Sequence, residues 1–152
     1  MKQYLFLSFL IALLACSKDV TTDTTIKEPA KPTVPITTPT NLTVLKSGKF
    51  NGANGYPSEG TAQLTKDSLD RHSIRLAEDF TTSFATGSVT IYLATSMVLK
   101  LADANSYIKL GVIDKKGAHT FALEGKPTGN FNFVIVWCQP AGVKFGHAEM
   151  KL

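Results

Sequence analysis

Two cysteines, Cys16 and Cys138, carry most of the chemistry open to this chain of 152 residues. Cys138 lies in the run Val134-Ile-Val-Trp-Cys138-Gln139. A thiol there could cycle through sulfenic acid, a mixed disulfide or electron transfer, given thiolate character and access. The competing reading is a buried small hydrophobe, because free cysteine is among the most buried residue types. A Cys/His nucleophile pair needs its side chains within about 3.2 Å. Counting across the last hairpin puts His147 opposite Val134, four residues from Cys138 and about 13 Å along the strand, so no pair is expected. His72, beside Asp70 and Arg71, reads as an exposed turn residue, and His119 as an exposed residue opening a strand. Lys144 falls opposite Trp137, where a cation-π contact would explain it.

Other constellations are absent or unsuited. Glu78 and Asp79 are expected in a strand, where neighbours point to opposite faces and cannot work as a carboxylate pair. Gly48-x-x-x-Gly52-x-x-Gly55 lacks the strand-to-helix setting of a phosphate loop and reads as hairpin and bulge glycine. With no Gly-x-Ser-x-Gly elbow and no His-Glu-x-x-His motif, hydrolase readings have no residue to rest on. Two cysteines exclude a disulfide-dense scaffold and a four-cysteine zinc module, and no metal site is expected. Covalent haem would need Cys-x-x-Cys-His, which is missing. The net charge of +4 is scattered rather than gathered in a stripe, which argues against a nucleic-acid partner.

Cys16 has a different role. Lys2 and the apolar run Leu5 to Ala15, broken by Ser8, have the form of a secretory signal, too short for a membrane-spanning helix. The run ends Leu13-Leu14-Ala15-Cys16, which resembles the bacterial lipobox, so residues 1–15 are expected to be the lipoprotein signal peptide and Cys16 the acylated N-terminus. Acyl chains such as palmitate would make the membrane a partner, each buried methylene contributing about 0.8 kcal/mol. Ser17-Lys18-Asp19 partly matches the short signal that sends lipoproteins to the cell surface, although Val20 stands where a second acid is usual. The expected location is the bacterial cell envelope, at the outer membrane, facing either side, with the partial export signal pointing to the surface. Ser17 to Thr40 holds eight Thr and four Pro in 24 residues. Such a segment builds no core, so 16–40 reads as the lipidated cysteine and a flexible linker, reaching at most about 75 Å.

Residues 41–152 are left to fold, 112 in all, enough to bury about 65% of the unfolded surface. Period-two alternation recurs at Thr61–Lys66, Ser73–Ala77, Ser88–Ala94, Tyr107–Ile113, His119–Glu124, Phe131–Cys138 and Val143–Leu152. Asn54-Gly55, Asp114 to Gly117 and Gly125 to Gly129 supply turns between apolar runs. Helical spacing is confined to Ser96–Asn105, where one or two turns capped by Ser96, or a loop, would fit. The expected fold is all-β: a single antiparallel β-sandwich domain with at most one short helix.

Gln139-Pro140-Ala141-Gly142 suits a type I turn, which pairs Cys138 with Val143. Outward from there, Val136 is expected opposite Phe145, Ile135 opposite Gly146, Val134 opposite His147, Phe133 opposite Ala148 and Phe131 opposite Met150. The face of Phe131, Phe133, Ile135 and Trp137, with Gly146, Ala148, Met150 and Leu152, would then meet the core. Cys138 would share the other face with Val134, Val136, Val143 and Phe145, at a rim a partner can reach. A bulge at Gly142 or Gly146 would reverse this register.

The stretch Val134-Ile-Val-Trp-Cys-Gln-Pro-Ala-Gly-Val-Lys-Phe-Gly-His-Ala-Glu-Met150 resembles the closing motif of the electron-transfer DM-thirteen domain family. Gly60-Thr-Ala-Gln-Leu64, Arg75-Leu-Ala-Glu-Asp-Phe80, Val89-Thr-Ile-Tyr-Leu93, Leu110-Gly111 and Gly117 to Leu123 agree in order, so the resemblance spans residues 44–152. It implies an extracellular all-β module related to haem- and sugar-binding sandwiches, with Cys138 as the candidate redox thiol. Ala141, where an aromatic is common, and Ala85-Thr86-Gly87-Ser88, in place of Gly-Pro-Asp-Leu, depart from the pattern at the rim. By analogy, non-covalent haem held by Met150, Met97 or a histidine stays open, against Met150 as core filler on Phe131. The functional expectation is thiol redox or electron transfer with an envelope partner. The alternative is a non-catalytic binding or adhesion module for a protein, glycan or haem-like ligand, with Cys138 structural.

Overall fold

The computed structural model describes residues 41–152; the expectations for residues 1–40, signal peptide, Cys16 and linker, lie outside them. The first strand, β1 (Thr43–Gly52), organises the rest, although its Lys- and Gly-rich sequence shows little alternation. Its first part pairs with β3 (Thr61–Lys66), from Thr43 opposite Lys66 to Lys49 opposite Thr61. Its last three residues pair with β10 (Val143–Glu149), Phe50 facing Ala148 and Gly52 facing Gly146. A strand that changes partner partway makes a corner, and here it joins the two halves of one sheet.

The remaining strands are β2 (Ser58–Glu59), β4 (His72–Leu76), β5 (Thr81–Thr82), β6 (Val89–Ala94), β7 (Tyr107–Ile113), β8 (His119–Ala122) and β9 (Phe133–Cys138). The antiparallel order is β7-β6-β9-β10-β1-β3-β4-β8, with β2 and β5 as a separate pair. The two halves enclose the core, so the all-β antiparallel fold read from the sequence is the one observed, as a nearly closed barrel-like sheet. The edge strands β7 and β8 follow one another in the chain but do not pair. A Cβ on Gly111 of β7 would lie 3.0 Å from the Phe121 ring of β8, which shows how closely the edges approach there.

The segment expected to hold a short helix forms bends and one 3-10 turn, Ala104–Ser106, capped by Asp103, whose carboxylate accepts from the Asn105 N–H at 3.1 Å. Leu99 turns in against the sheet while Met97, Val98 and Leu101 stay exposed. A helix this short has too few hydrogen bonds to offset its nucleation without a buried face.

The last hairpin begins as expected, with Cys138 opposite Val143 and Trp137 opposite Lys144, and then departs. The next pair is Val136 with Gly146, so Phe145 is an extra residue in β10, and His147 faces Ile135, Ala148 faces Val134 and Glu149 faces Phe133. This bulge corrects the expected register and turns β9 over. Val134, Val136 and Cys138 join the core with Phe145, Ala148 and Met150, whereas Phe133, Ile135 and Trp137 lie on the outer face. That outer face is apolar too: Tyr92, Ala94 and Ile135 form a second cluster with Leu99, Tyr107, Phe133 and Trp137. β9 is therefore apolar on both sides, as central strands covered on both faces are.

Two smaller expectations are also corrected. His72 is not an exposed turn residue; it opens β4 opposite Lys66 and is 4% exposed. Glu78 and Asp79 lie in a turn closed by the Phe80 N–H on the Ala77 carbonyl, not in a strand. Asp79 accepts from the N–H and the hydroxyl of Thr61, at 3.0 and 2.9 Å, tying that turn to β3.

Candidate functional site

Cys138 is the last residue of β9, immediately before the turn that the Gly142 N–H closes on the Gln139 carbonyl at 3.3 Å. Its neighbours include Val134, Val136, Val143 and Phe145, the set expected from the sequence. What differs is the direction that set faces. The side chain points into the core, is 0% exposed and forms no disulfide. A directly reachable rim thiol is thus corrected to a buried one, on the face of β9 that joins the core with Val134 and Val136.

Among the described residues, one polar side chain hydrogen-bonds with the sulfur. The Thr86 hydroxyl lies 3.2 Å from Cys138 Sγ, either atom able to donate. Thr86 is itself exposed, on a turn that the Gly87 N–H closes on the Phe84 carbonyl, with Gly87 at φ +94°. A positive φ suits glycine, and this turn uses it to carry Thr86 over the thiol. The sulfur is therefore separated from solvent at this point by a residue on a surface loop. That relationship was hidden in the sequence, where Thr86 stood out only as part of a departure from the family's turn.

The histidines do not converge on the sulfur. His147 sits on the outer face opposite Ile135, across the sheet from Cys138, so no Cys/His pair forms. Burial, and then the Lys144 ammonium, push the His147 pKa below its usual 6.5, with Glu149 partly opposing. Lys144 faces Trp137 as expected, but its Nζ donates to the Met97 carbonyl at 2.8 Å, and burial lowers its pKa. His119 Nε2 lies 2.9 Å from the Lys115 carbonyl oxygen, and its ring stacks near Phe121. The side chains weighed as haem ligands do not share a site: Met150 fills the core, Met97 is exposed on a loop and His147 is on the outer face. No step through haem follows from such an arrangement.

The arrangement offers a single thiol, held dry beside one hydroxyl at the end of a two-faced apolar strand. The sulfur is fully buried under this contact, so a reagent reaches it only where the structure opens locally. No curated protein and no solved structure matches this chain. The family model described as Electron transfer DM13 matches residues 49–150, about two thirds of the sequence, from the middle of β1 to the core residue Met150 and including Cys138. The chain belongs to the DM13 electron-transfer family.

Proposed function

We propose that this protein is a lipid-anchored envelope protein, held at the outer membrane through Cys16, whose Cys138 thiol exchanges with a disulfide of a partner protein. The observation that carries this reading is the placement of the unpaired Cys138 sulfur 3.2 Å beneath the hydroxyl of exposed Thr86. A thiol with no disulfide partner in an oxidising compartment is an unusual feature that a redox role would explain. In the exchange, Cys138 gives its proton to solvent and the thiolate attacks one sulfur of the partner disulfide. The partner S–S bond breaks, a mixed disulfide forms and the departing thiolate takes up a proton. Membership of an electron-transfer family supports a redox role in general terms.

The test uses the intact chain incubated with oxidised glutathione and then analysed by mass spectrometry under native conditions. A glutathione adduct on Cys138, absent in Cys138→Ser and removed by a reductant, is the expected result. An adduct that forms solely in denaturant would overturn the redox reading and leave Cys138 as a core residue in a binding module.

A further inference from the structure

The barrel-like sheet has an opening between its two edges. β7 and β8 approach near Gly111 and Phe121, and toward Tyr107 and Ala122 they border a cleft of about 640 Å³. The far wall is the segment Leu123 to Thr128, together with Phe131. This volume lies within the range of small-molecule sites, about 300 to 1,000 Å³, and barrel mouths are a recurrent place for them. Its apolar lining includes Ile108, Leu110, Leu123 and Phe131. Ile108 is 37% exposed, and the other three are half-buried side chains packed against the main core. Large apolar groups left partly wet in a concave site gain by being covered.

The charges in the same cleft set the occupant's polarity. Lys109 and Lys126 line it with one acid, Glu124, and neither ammonium takes part in a hydrogen bond or ion pair with another described side chain. An added strand is a poor fit. β7 is broken by a bulge at Leu110, between the pairs Ile91–Gly111 and Tyr92–Lys109, and β8 has four residues. A bulged edge and a short edge are ways in which sheets discourage further pairing.

We propose that this cleft binds an amphipathic long-chain carboxylate, its apolar body on Ile108, Leu110, Leu123 and Phe131 and its carboxylate at the Lys109 and Lys126 rim. The site is distinct from the thiol: it opens at the Tyr107 end of β7, whereas Cys138 neighbours the Val89 end of β6, at the other end of the ladder. Ligand binding and thiol reactivity can therefore fail separately.

The experiment titrates the full chain carrying Cys16→Ser, which removes the acyl acceptor, with the fluorescent probe dansyl-undecanoic acid. Saturable binding of one probe per chain is expected, displaced by palmitic acid and, at least about tenfold less well, by its methyl ester. Ile108→Glu should abolish binding, and the surface pair Lys109→Glu with Lys126→Glu should weaken it about tenfold or more with the thermal melt unchanged. Cys138→Ser should leave it intact. Absence of saturable binding, equal competition by the ester, or binding insensitive to both cleft variants would overturn the proposal. So would a dimer in sedimentation that the probe fails to dissociate and that Ile108→Glu abolishes, since a second copy would then be the occupant.

Discussion

The hydroxyl of Ser58 donates to the carbonyl of Phe145 at 3.1 Å, and this bond pins the extra residue by which β10 outruns β9. Ser58 also shares a hydrogen bond with Thr82 at 2.9 Å, and the Ala53 N–H reaches the same Phe145 carbonyl at 2.8 Å. The Phe145 ring stacks on Tyr56 with centroids 3.9 Å apart. The next residue has to be glycine, because a Cβ at Gly146 would overlap Ser58 and come within 2.8 Å of the Asn51 carbonyl oxygen. Gly146→Ala is expected to destabilise the protein by about 1–3 kcal/mol through overpacking. Ser58→Gly in the same chain should recover part of that loss. Urea melts of both variants and the double variant measure the coupling, and additive effects would show that the bulge is not held by this contact.

How much of this was legible beforehand turns on that one residue. The bounds of Thr61–Lys66 and Tyr107–Ile113 were readable to the residue, the first from its alternation, and the Cys138–Val143 and Trp137–Lys144 pairs followed from turn chemistry alone. The faces of β9 were not readable: Phe133, Ile135 and Trp137 look as apolar as Val134, Val136 and Cys138, since both faces are covered. Alternation carries no sign when both sides are apolar. The residue that decides, Phe145, is bulged by contacts from Ala53, Tyr56 and Ser58, about ninety positions earlier in the chain. β1 was missed for a related reason, since its Lys- and Gly-rich run is positioned by backbone pairing on both sides. The Thr86 contact with Cys138 joins residues 52 apart and left no local signal.

The reversed faces make a direct packing prediction. Phe145 is fully buried in the main core, while Phe133 belongs to the smaller outer cluster and is half-buried. Phe145→Ala should cost about 3–5 kcal/mol by cavity formation. Phe133→Ala should cost clearly less, because its site can relax toward solvent. The register expected from direct counting makes the opposite ranking, so the two urea midpoints, compared at equal m-values, decide between the faces.

The outer face also predicts a pH dependence. His147 has its pKa lowered below 6.5, by burial first and by the Lys144 charge second. Above 6.5 both folded and unfolded chains are neutral at this residue, and its contribution is fully present. As the pH falls through 6.5 the unfolded chain takes up a proton that the folded chain still refuses, so stability declines toward the lower folded value. Asp67 and Asp70 behave differently. Desolvation raises the Asp67 pKa but is outweighed by hydrogen bonds from Arg71 and Leu69, and Asp70 is held low by its bond to Lys66. Their effects are lost below the ordinary carboxylate value of 3.8. Denaturant melts at pH 7.5 and pH 5 should therefore show a drop that His147→Phe removes. A drop of equal size in that variant would assign it elsewhere.

Access to Cys138 should be governed by the Thr86 turn. The sulfur is fully buried, whereas the turn over it is exposed and contains Gly87 at positive φ, so a local opening costs less than unfolding the core. Alkylation of native protein should be slower than that of the unfolded chain by about thirtyfold or more, the population expected for an opening of roughly 2 kcal/mol. Thr86→Gly removes the covering side chain and loosens the turn, and should speed alkylation several-fold while changing overall stability by about 0.5 kcal/mol or less. Low urea separates the mechanisms. A rate insensitive to urea well below the unfolding midpoint marks a small local opening, which exposes little surface. A rate that climbs with the full unfolding m-value in both proteins, with no acceleration by Thr86→Gly, would mean that the thiol is reached through global unfolding and that the turn is not its gate.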